Sequence, residues 1–222
     1  VNRRLRLDLV LQACRGASSV TALSQHAADV FAAHLGVRAH VIHAPVDLER
    51  FTPGGARAEQ PAIVCAADPA EPRKRVPLLV EAFARVRRER PGARLLLDAR
   101  RRIDGLDGAG VEWVDMRDLP GLYRSAWVSV LPSWGEAFGL VLAESLACGT
   151  PVVGSDREGI PEVIGGDPRI GRMFSGDDPA GVARALLGAL ELTGAPGTAE
   201  ACRARAERFS LRACADAYGA LL

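Results

Sequence analysis

"WVSVLPSWGEAFGLVLAESLACGTPVVGS", Trp127 to Ser155, passes from an aliphatic, β-branched run through a glycine-bearing loop into a helical stretch, then out into a second aliphatic run. Short apolar runs without polar alternation read as strands buried on both faces, and a helix between two of them reads as a βαβ unit. Working outward, the same kind of run recurs as "AIVCAA" (62–67), "RLLLD" (94–98), "VEWV" (111–114) and "IGRMF" (170–174). With "WVSVLP" (127–132) and "PVVGS" (151–155) these make six candidate strands. Val76, Leu79, Phe83 and Val86 recur at helical spacing between two of them, and Leu119, Leu122 and Tyr123 mark a short helix. The expectation is an α/β fold: a Rossmann-like, mostly parallel six-stranded sheet covered by helices on both faces. Three terminal helices should follow, in "PAGVARALLGAL", "AEACRARAERF" and "LRACADAYGALL".

Upstream, "SVTAL" (19–23) and "RAHVIH" (38–43) flank a helical segment that Ser24 caps at its start and Gly36 at its end, a separate βαβ unit. The stretch from His43 to Pro61 is rich in Pro and Gly, lacks periodicity and reads as a linker. The expected division is residues 1–56, a small unit plus linker, and residues 57–222, the main domain.

Composition limits the function classes. The 222 residues carry a net charge of +1, with 48% hydrophobic and 5% aromatic content, which suits a globular protein and gives no global field for nucleic acid. The five cysteines include no C-x-x-C pair, so neither a disulfide framework nor a zinc site is suggested, and the cytoplasm is the expected compartment. No apolar run approaches the roughly 18 residues of a membrane helix, and "VNRRLRLDLVLQAC" is too interrupted by charge for a signal peptide. Peripheral contact with a membrane stays open. The chain opens on Val1 rather than Met, which raises the expectation of a piece of something longer.

Open parallel sheets bind ligands beyond the carboxyl ends of their strands, so the loops there are where chemistry is expected. After residues 62–67 comes "DPAEPRKR", which has neither the dinucleotide nor the P-loop glycine pattern but places Arg73, Lys74 and Arg75 at a helix start. Cations there oppose the helix dipole, and an anion would offset the cost; a solvated basic face is the competing reading. After residues 127–132, Gly135 and Gly139 allow close backbone approach, and the amides of Phe138, Gly139 and Leu140 open a helix, a ready anion site. Glu136 falls in the loop, and Glu144 about two turns into the helix. Carboxylates only accept hydrogen bonds, so such a pair beside an anion site suits hydroxyls close to phosphates, as in a nucleotide sugar. The plain alternative is an N-terminal helix acid and a solvated helix position. His26, His34, His40 and His43 fit no metal spacing and are all expected to be surface or packing residues, the last two on opposite faces of a strand. In "GDD" (176–178), Asp177 or Asp178 should cap the next helix; no D-x-D triplet occurs, leaving a metal-held diphosphate without visible ligands.

Taken together, these stretches resemble the C-terminal half of a GT-B glycosyltransferase of the large retaining family 4. "PRKRVPLLVEAFARVRRERPGARLLLD" resembles the start of its donor domain and "LPGLYRSAWVSVLPSWGEAFGLVLAESLACGTPVVGSDREGIPEVI" its signature. "VTALSQHAADVFAAHLGVRAHVIHAPVDLERFTP" resembles the end of its N-terminal domain plus linker, and "FSLRACADAY" its terminal helix. The resemblance implies a transferase moving a sugar from a nucleoside diphosphate donor to an unknown acceptor, with no cofactor and no metal. It implies that Glu136 hydrogen-bonds the donor sugar, Glu144 the ribose, and the amides of Phe138, Gly139 and Leu140 the sugar and diphosphate. Arg73 and Lys74 would neutralise the leaving diphosphate, and the base would lie near Asp115 and Met116. Two departures stand out: Ala67 and Asp68 occupy the place of the family's Gly-Arg, and "HAPVD" replaces a common Asn-Gly-Val-Asp. The N-terminal domain carries the family's acceptor site, and residues 1–53 are too few to form it. The isolated chain is therefore expected to bind donor and transfer nothing. The alternatives are a non-catalytic nucleotide or sugar binding module and, less in keeping with the missing glycine fingerprint, an NAD-dependent enzyme.

Overall fold

Ser24 and Gly36 bracket the helix of the first βαβ unit as their chemistry predicts, in a computed structural model that describes residues 3–221. Val1, the chain start, and Leu222, the last residue of the expected terminal helix, lie outside the described residues. Helix α1 (Arg3–Gly16) precedes the unit, in a charged stretch where the sequence reading marks no element. Strand β1 (Thr21–Ala22), helix α2 (Gln25–Leu35) and strand β2 (His40–Val41) then form a parallel pair with its crossover. The Ser24 side chain accepts from the Ala27 N–H, and Gly36 at φ 63° closes the helix in the left-handed region. Strand β2 ends at Val41, so His43 lies beyond it; the expectation that His40 and His43 sit on opposite faces of one strand is corrected.

The six expected strands all form: β3 (Ala62–Val64), β4 (Arg94–Asp98), β5 (Val111–Val114), β6 (Val128–Leu131), β7 (Val152–Ser155) and β8 (Gly171–Phe174). They pair in the order β5-β4-β3-β6-β7-β8, every neighbouring pair parallel. The central strands β3, β6 and β7 are buried at every position, which explains their unbroken aliphatic runs; edge strands β5 and β8 are only partly covered.

Helix α3 (Val76–Glu89) carries the chain from β3 to β4, burying Val76, Leu79, Phe83 and Val86. A single 3-10 turn (Ala99–Arg101) suffices on the way to β5, and α4 (Leu119–Ser125) leads back to β6. Helices α5 (Leu140–Ala147) and α6 (Ile160–Ile164) make the next two crossovers, followed by α7 (Pro179–Leu190), α8 (Thr198–Glu207) and α9 (Leu211–Gly219). α3 packs with α7 on one face of the sheet, and α5 with α4 and α8 on the other. Asp178 caps α7 by accepting from Ala180 N–H, while Asp177 does something else, described below.

The chain leaves β3 toward β4 and β5, returns to the centre at β6 and continues outward the other way. The direction therefore switches between β3 and β6, and the crevice beyond their carboxyl ends is where such sheets hold ligands.

The segment from His43 to Pro61 contains no strand pair beyond a single bridge from Val46 to Ser210. It is nonetheless tied down. Val46 N–H donates to the Phe209 carbonyl at 2.7 Å, and buried Phe51 contributes about 2–3 kcal/mol of apolar burial. The Arg57 guanidinium donates to the carbonyls of Tyr123, Ala126 and Gly149 and to Thr150 Oγ1.

Candidate functional site

Two loops meet at the switch point. The loop after β3 turns through a 3-10 segment, Pro72–Lys74, and reaches Arg75, whose left-handed backbone (φ 53°) opens α3. The loop after β6 runs from Pro132 to Gly139, and Gly139, at φ 98°, opens α5. Only glycine adopts that backbone without strain, which accounts for the residue at this helix start. The loops clasp through one main-chain and one side-chain bond: Trp134 N–H donates to the Arg73 carbonyl at 2.9 Å, and Arg73 Nη1 donates to the Gly135 carbonyl at 3.0 Å.

The basic triplet divides. Lys74 Nζ donates to Glu136 Oε1, and Arg73 Nη1 lies 3.7 Å from the same oxygen. Arg73 also pairs with Glu71, and that contact, with the nearby carboxylates of Glu136 and Glu158, pushes its pKa above the ordinary guanidinium value. Arg75 points inward instead. Its Nε donates to the Pro132 carbonyl at 2.7 Å, its Nη1 engages Asp177, and its Cζ lies over the rings of Trp134 and Phe174, 5.7 and 5.6 Å from their centroids. Burial lowers its pKa, and Nη2 has no hydrogen-bond partner among the described residues. The reading of the triplet as one basic face is corrected: the left-handed turn at residue 75 sends the third cation into the body, where it ties the two loops to the Gly176–Asp177 turn.

Glu136 sits before α5 with a side chain only 12% exposed. Its backbone is held on both sides, N–H to Glu158 Oε2 at 2.6 Å and carbonyl from Gly159 N–H at 3.0 Å. Gly159 is required there because a Cβ would collide with the Ala137 carbonyl oxygen. The N–H groups of Phe138, Gly139 and Leu140 find no acceptor among the described residues, so three unpaired donors stand at the positive end of the α5 dipole. The Phe138 ring itself is buried, packed on His43 and Phe209 at centroid distances of 5.3 and 5.0 Å.

Glu144 lies in α5, but the helix begins only at Leu140, so the carboxylate is just over one turn in; the expected two turns are corrected. Burial pushes its pKa up to about 7, opposed by the charge of Arg50, and no hydrogen bond among the described residues reaches its side chain. It is an acceptor held half-buried without a donor, an arrangement that invites one.

Asp115 and Met116 follow edge strand β5, and no hydrogen bond or ion pair among the described residues joins them to the Glu136 cluster. The Asp115 carboxylate accepts from Arg117 side chain and backbone, which lowers its pKa, and Met116 is buried. Asp68, where the resemblance leads one to expect an arginine, accepts from Ala70 N–H and pairs with Arg101 at 2.7 Å. Cys65, Cys148 and Cys202 are buried thiols with pKa values pushed by burial to about 11, 11 and 12. Among the described residues there is no group of three or more His, Cys, Asp or Glu arranged to hold a metal ion, and no helix long and apolar enough to cross a membrane.

Two residues inside the quoted signature were given no role by the sequence reading. Glu158, at φ 58°, carries no signal beyond its place beside a glycine. Glu162 reaches across to the first βαβ unit, accepting from Gln25 N–H at 2.8 Å and His26 N–H at 3.0 Å, with His43 Nε2 at 3.5 Å. It thus satisfies free donors at the start of α2 from a helix of the main sheet.

A family model described as "Glycosyl transferases group 1" matches residues 60–191. D-inositol 3-phosphate glycosyltransferase 2 of Catenulispora acidiphila is 31% identical over 184 residues, covering 69% of this chain and 43% of that protein. D-inositol 3-phosphate glycosyltransferase of Geodermatophilus obscurus is 34% identical over 183 residues, 69% of this chain and 40% of its own length. The chain thus spans less than half of these curated relatives. Among solved structures, sucrose-phosphate synthase from Thermosynechococcus elongatus is similar with a TM-score of 0.82 at 26% identity, over 99% of this chain and 61% of that one. Anabaena HepE, solved in complex with UDP and glucose, has a TM-score of 0.80 at 20% identity, over 98% and 66%.

Proposed function

Because the chain belongs to the group 1 glycosyltransferases and carries a Rossmann-like sheet of the GT-B kind, we propose that it is the donor-binding part of an enzyme that moves a sugar from a nucleoside diphosphate to an acceptor, with retention at the anomeric carbon. One observation carries this: Lys74, Arg73 and Glu136 meet at the sheet's switch point, beside the free amides of residues 138–140 at the start of α5. Anion-seeking groups and a hydroxyl-seeking carboxylate within one crevice match a phosphate joined to a sugar.

In this reading the diphosphate takes Lys74 and Arg73 and the amides of Phe138, Gly139 and Leu140, and Glu136 turns from Lys74 to the donor sugar's hydroxyls. Charge building on the leaving diphosphate is met by the two cations and the helix dipole, electrostatic stabilisation that needs no metal. Glu144 accepts from the ribose hydroxyls, and the base lies against the backbone near Asp115 and Met116. Arg73 serves in place of the arginine that Asp68 displaces. The solved complex of HepE with UDP and glucose supports a nucleotide-sugar donor. Residues 57–222 form the donor domain, residues 1–56 belong with the N-terminal domain and linker, and residues 1–222 on their own bind donor without transferring sugar.

Calorimetric titration with UDP, GDP and ADP and with their glucose conjugates tests the reading. At least one nucleotide should bind, its glucose conjugate more tightly; a chain that binds none of the six would overturn the proposal.

A further inference from the structure

Among the described residues, two that are not glycine hold positive φ, Arg75 at 53° and Glu158 at 58°. They stand on either side of the Lys74–Glu136 pair. Left-handed backbone costs a residue with a side chain about 1–2 kcal/mol, and glutamate lacks the short side chain that eases Asn or Asp into that region. Arg75 is compensated by its buried hydrogen bonds and aromatic stacking. Glu158 touches the other half of the pair: its Oε2 accepts from the Glu136 N–H at 2.6 Å, and the next residue, Gly159, donates to the Glu136 carbonyl at 3.0 Å. Both backbone polar groups of Glu136 are thus gripped by two consecutive residues of the β7–α6 loop. A carboxylate acceptor makes the first grip a charge-assisted bond, stronger than a neutral one. The same carboxylate contributes to the field at Arg73.

We propose that Glu158 is a positioning residue for the donor sugar. It locks the main chain of Glu136, so that when Lys74 turns to phosphate the freed Glu136 carboxylate is already aimed at the sugar hydroxyls. The proposal rests on the reading of Glu136 as the sugar-binding carboxylate. It differs from a plain packing role in one measurable respect: loss of Glu158 should weaken the hold on the sugar and spare the hold on the diphosphate, which other groups make.

Two variants separate the cases. Glu158→Gly removes the carboxylate and suits the left-handed backbone, so the fold is kept; Glu158→Gln retains an oxygen that can accept from Glu136 N–H. In the ligand-free chain, amide exchange at Glu136 followed by NMR should speed up about tenfold or more in Glu158→Gly, with the interior of α5 unchanged and Glu158→Gln between the two. In calorimetry, the extra affinity of the glucose conjugate over the matching diphosphate should fall about tenfold in Glu158→Gly, while the diphosphate alone binds no more than about twofold more weakly than in the parent. Unchanged exchange at Glu136 in Glu158→Gly overturns the proposal whatever binds, and so does an equal loss of diphosphate and conjugate affinity. A parent chain that binds no nucleotide overturns the donor-site reading instead, and the exchange experiment still decides whether Glu158 holds Glu136.

Discussion

Lys74 donates to Glu136 across 62 positions of sequence, and in doing so each occupies the group that the other would release to a ligand. A donor must part them. Glu136→Gln removes the counter-charge from Lys74 and Arg73 and the acceptor from the sugar. The bare nucleoside diphosphate should then bind as tightly as in the parent or several-fold tighter, and the increment from the sugar should shrink by about 1.5–3 kcal/mol. Titration with each diphosphate and its glucose conjugate measures both; an unchanged sugar increment would remove Glu136 from the sugar site.

Glu144 has a pKa raised by burial from 4.5 to about 7. The folded chain therefore holds that proton more tightly than the unfolded one. Its contribution to stability is greatest below about pH 4.5 and declines as pH rises through 7, because the buried carboxylate must ionise. Glu144→Gln should accordingly be more stable than the parent at pH 8 by about 1–3 kcal/mol, with the difference vanishing near pH 4. Thermal unfolding at both pH values checks the sign.

The same carboxylate makes a binding prediction. Hydroxyl donors favour its ionised form, so nucleotide binding near pH 7 should release a fraction of a proton, and affinity should weaken toward pH 5. Calorimetry in buffers of different ionisation enthalpy reads the proton directly. Glu144→Gln should bind more weakly and release none; release that persists in the variant would assign the proton elsewhere.

Glu162 caps the start of α2 from α6. Glu162→Ala should cost about 1 kcal/mol and raise hydrogen exchange in α2 while leaving α3 protected. Equal exchange in α2 with and without the carboxylate would mean that the packing of His43 on Phe138 and Phe209 is sufficient by itself.

Arg75 joins the loops after β3 and β6 to Asp177 from a buried position. Lysine cannot reproduce its fork or its stacking. Arg75→Lys should lower stability by about 2–3 kcal/mol, a value discounted because Asp177 is largely exposed. Chemical denaturation gives the figure, and a loss below about 0.5 kcal/mol would show that Asp177 and the stacking rings tolerate the ammonium.

The six strands were legible because parallel strands buried on both faces need unbroken aliphatic runs, and "AIV" at 62–64 or "VSVL" at 128–131 satisfies that need visibly. Helix α1 was not, since charge crowds the first half of "RRLRLDLVLQACRG", where leucines alternate with charged residues, and gives helical periodicity little to hold. At the crevice, the glycine-bearing loop and the acids around it announce themselves by composition. What composition hides is direction. Arg73, Lys74 and Arg75 are chemically a single run, and one left-handed residue divides them into two that face Glu136 and one that does not. Glu158 is hidden for a related reason: its effect passes through a main-chain N–H that belongs to another residue.

Arg73 stands in the field of three carboxylates, Glu71, Glu136 and Glu158, with Lys74 beside it. A crevice whose own acids already balance its cations projects little attraction into the surrounding solution. An incoming diphosphate therefore competes with a carboxylate that stays tethered in the crevice, instead of filling a positive void, and its charge is added to a site with little net positive charge of its own. Capture should then depend weakly on ionic strength, with discrimination set by short-range fit once the ligand is inside the crevice.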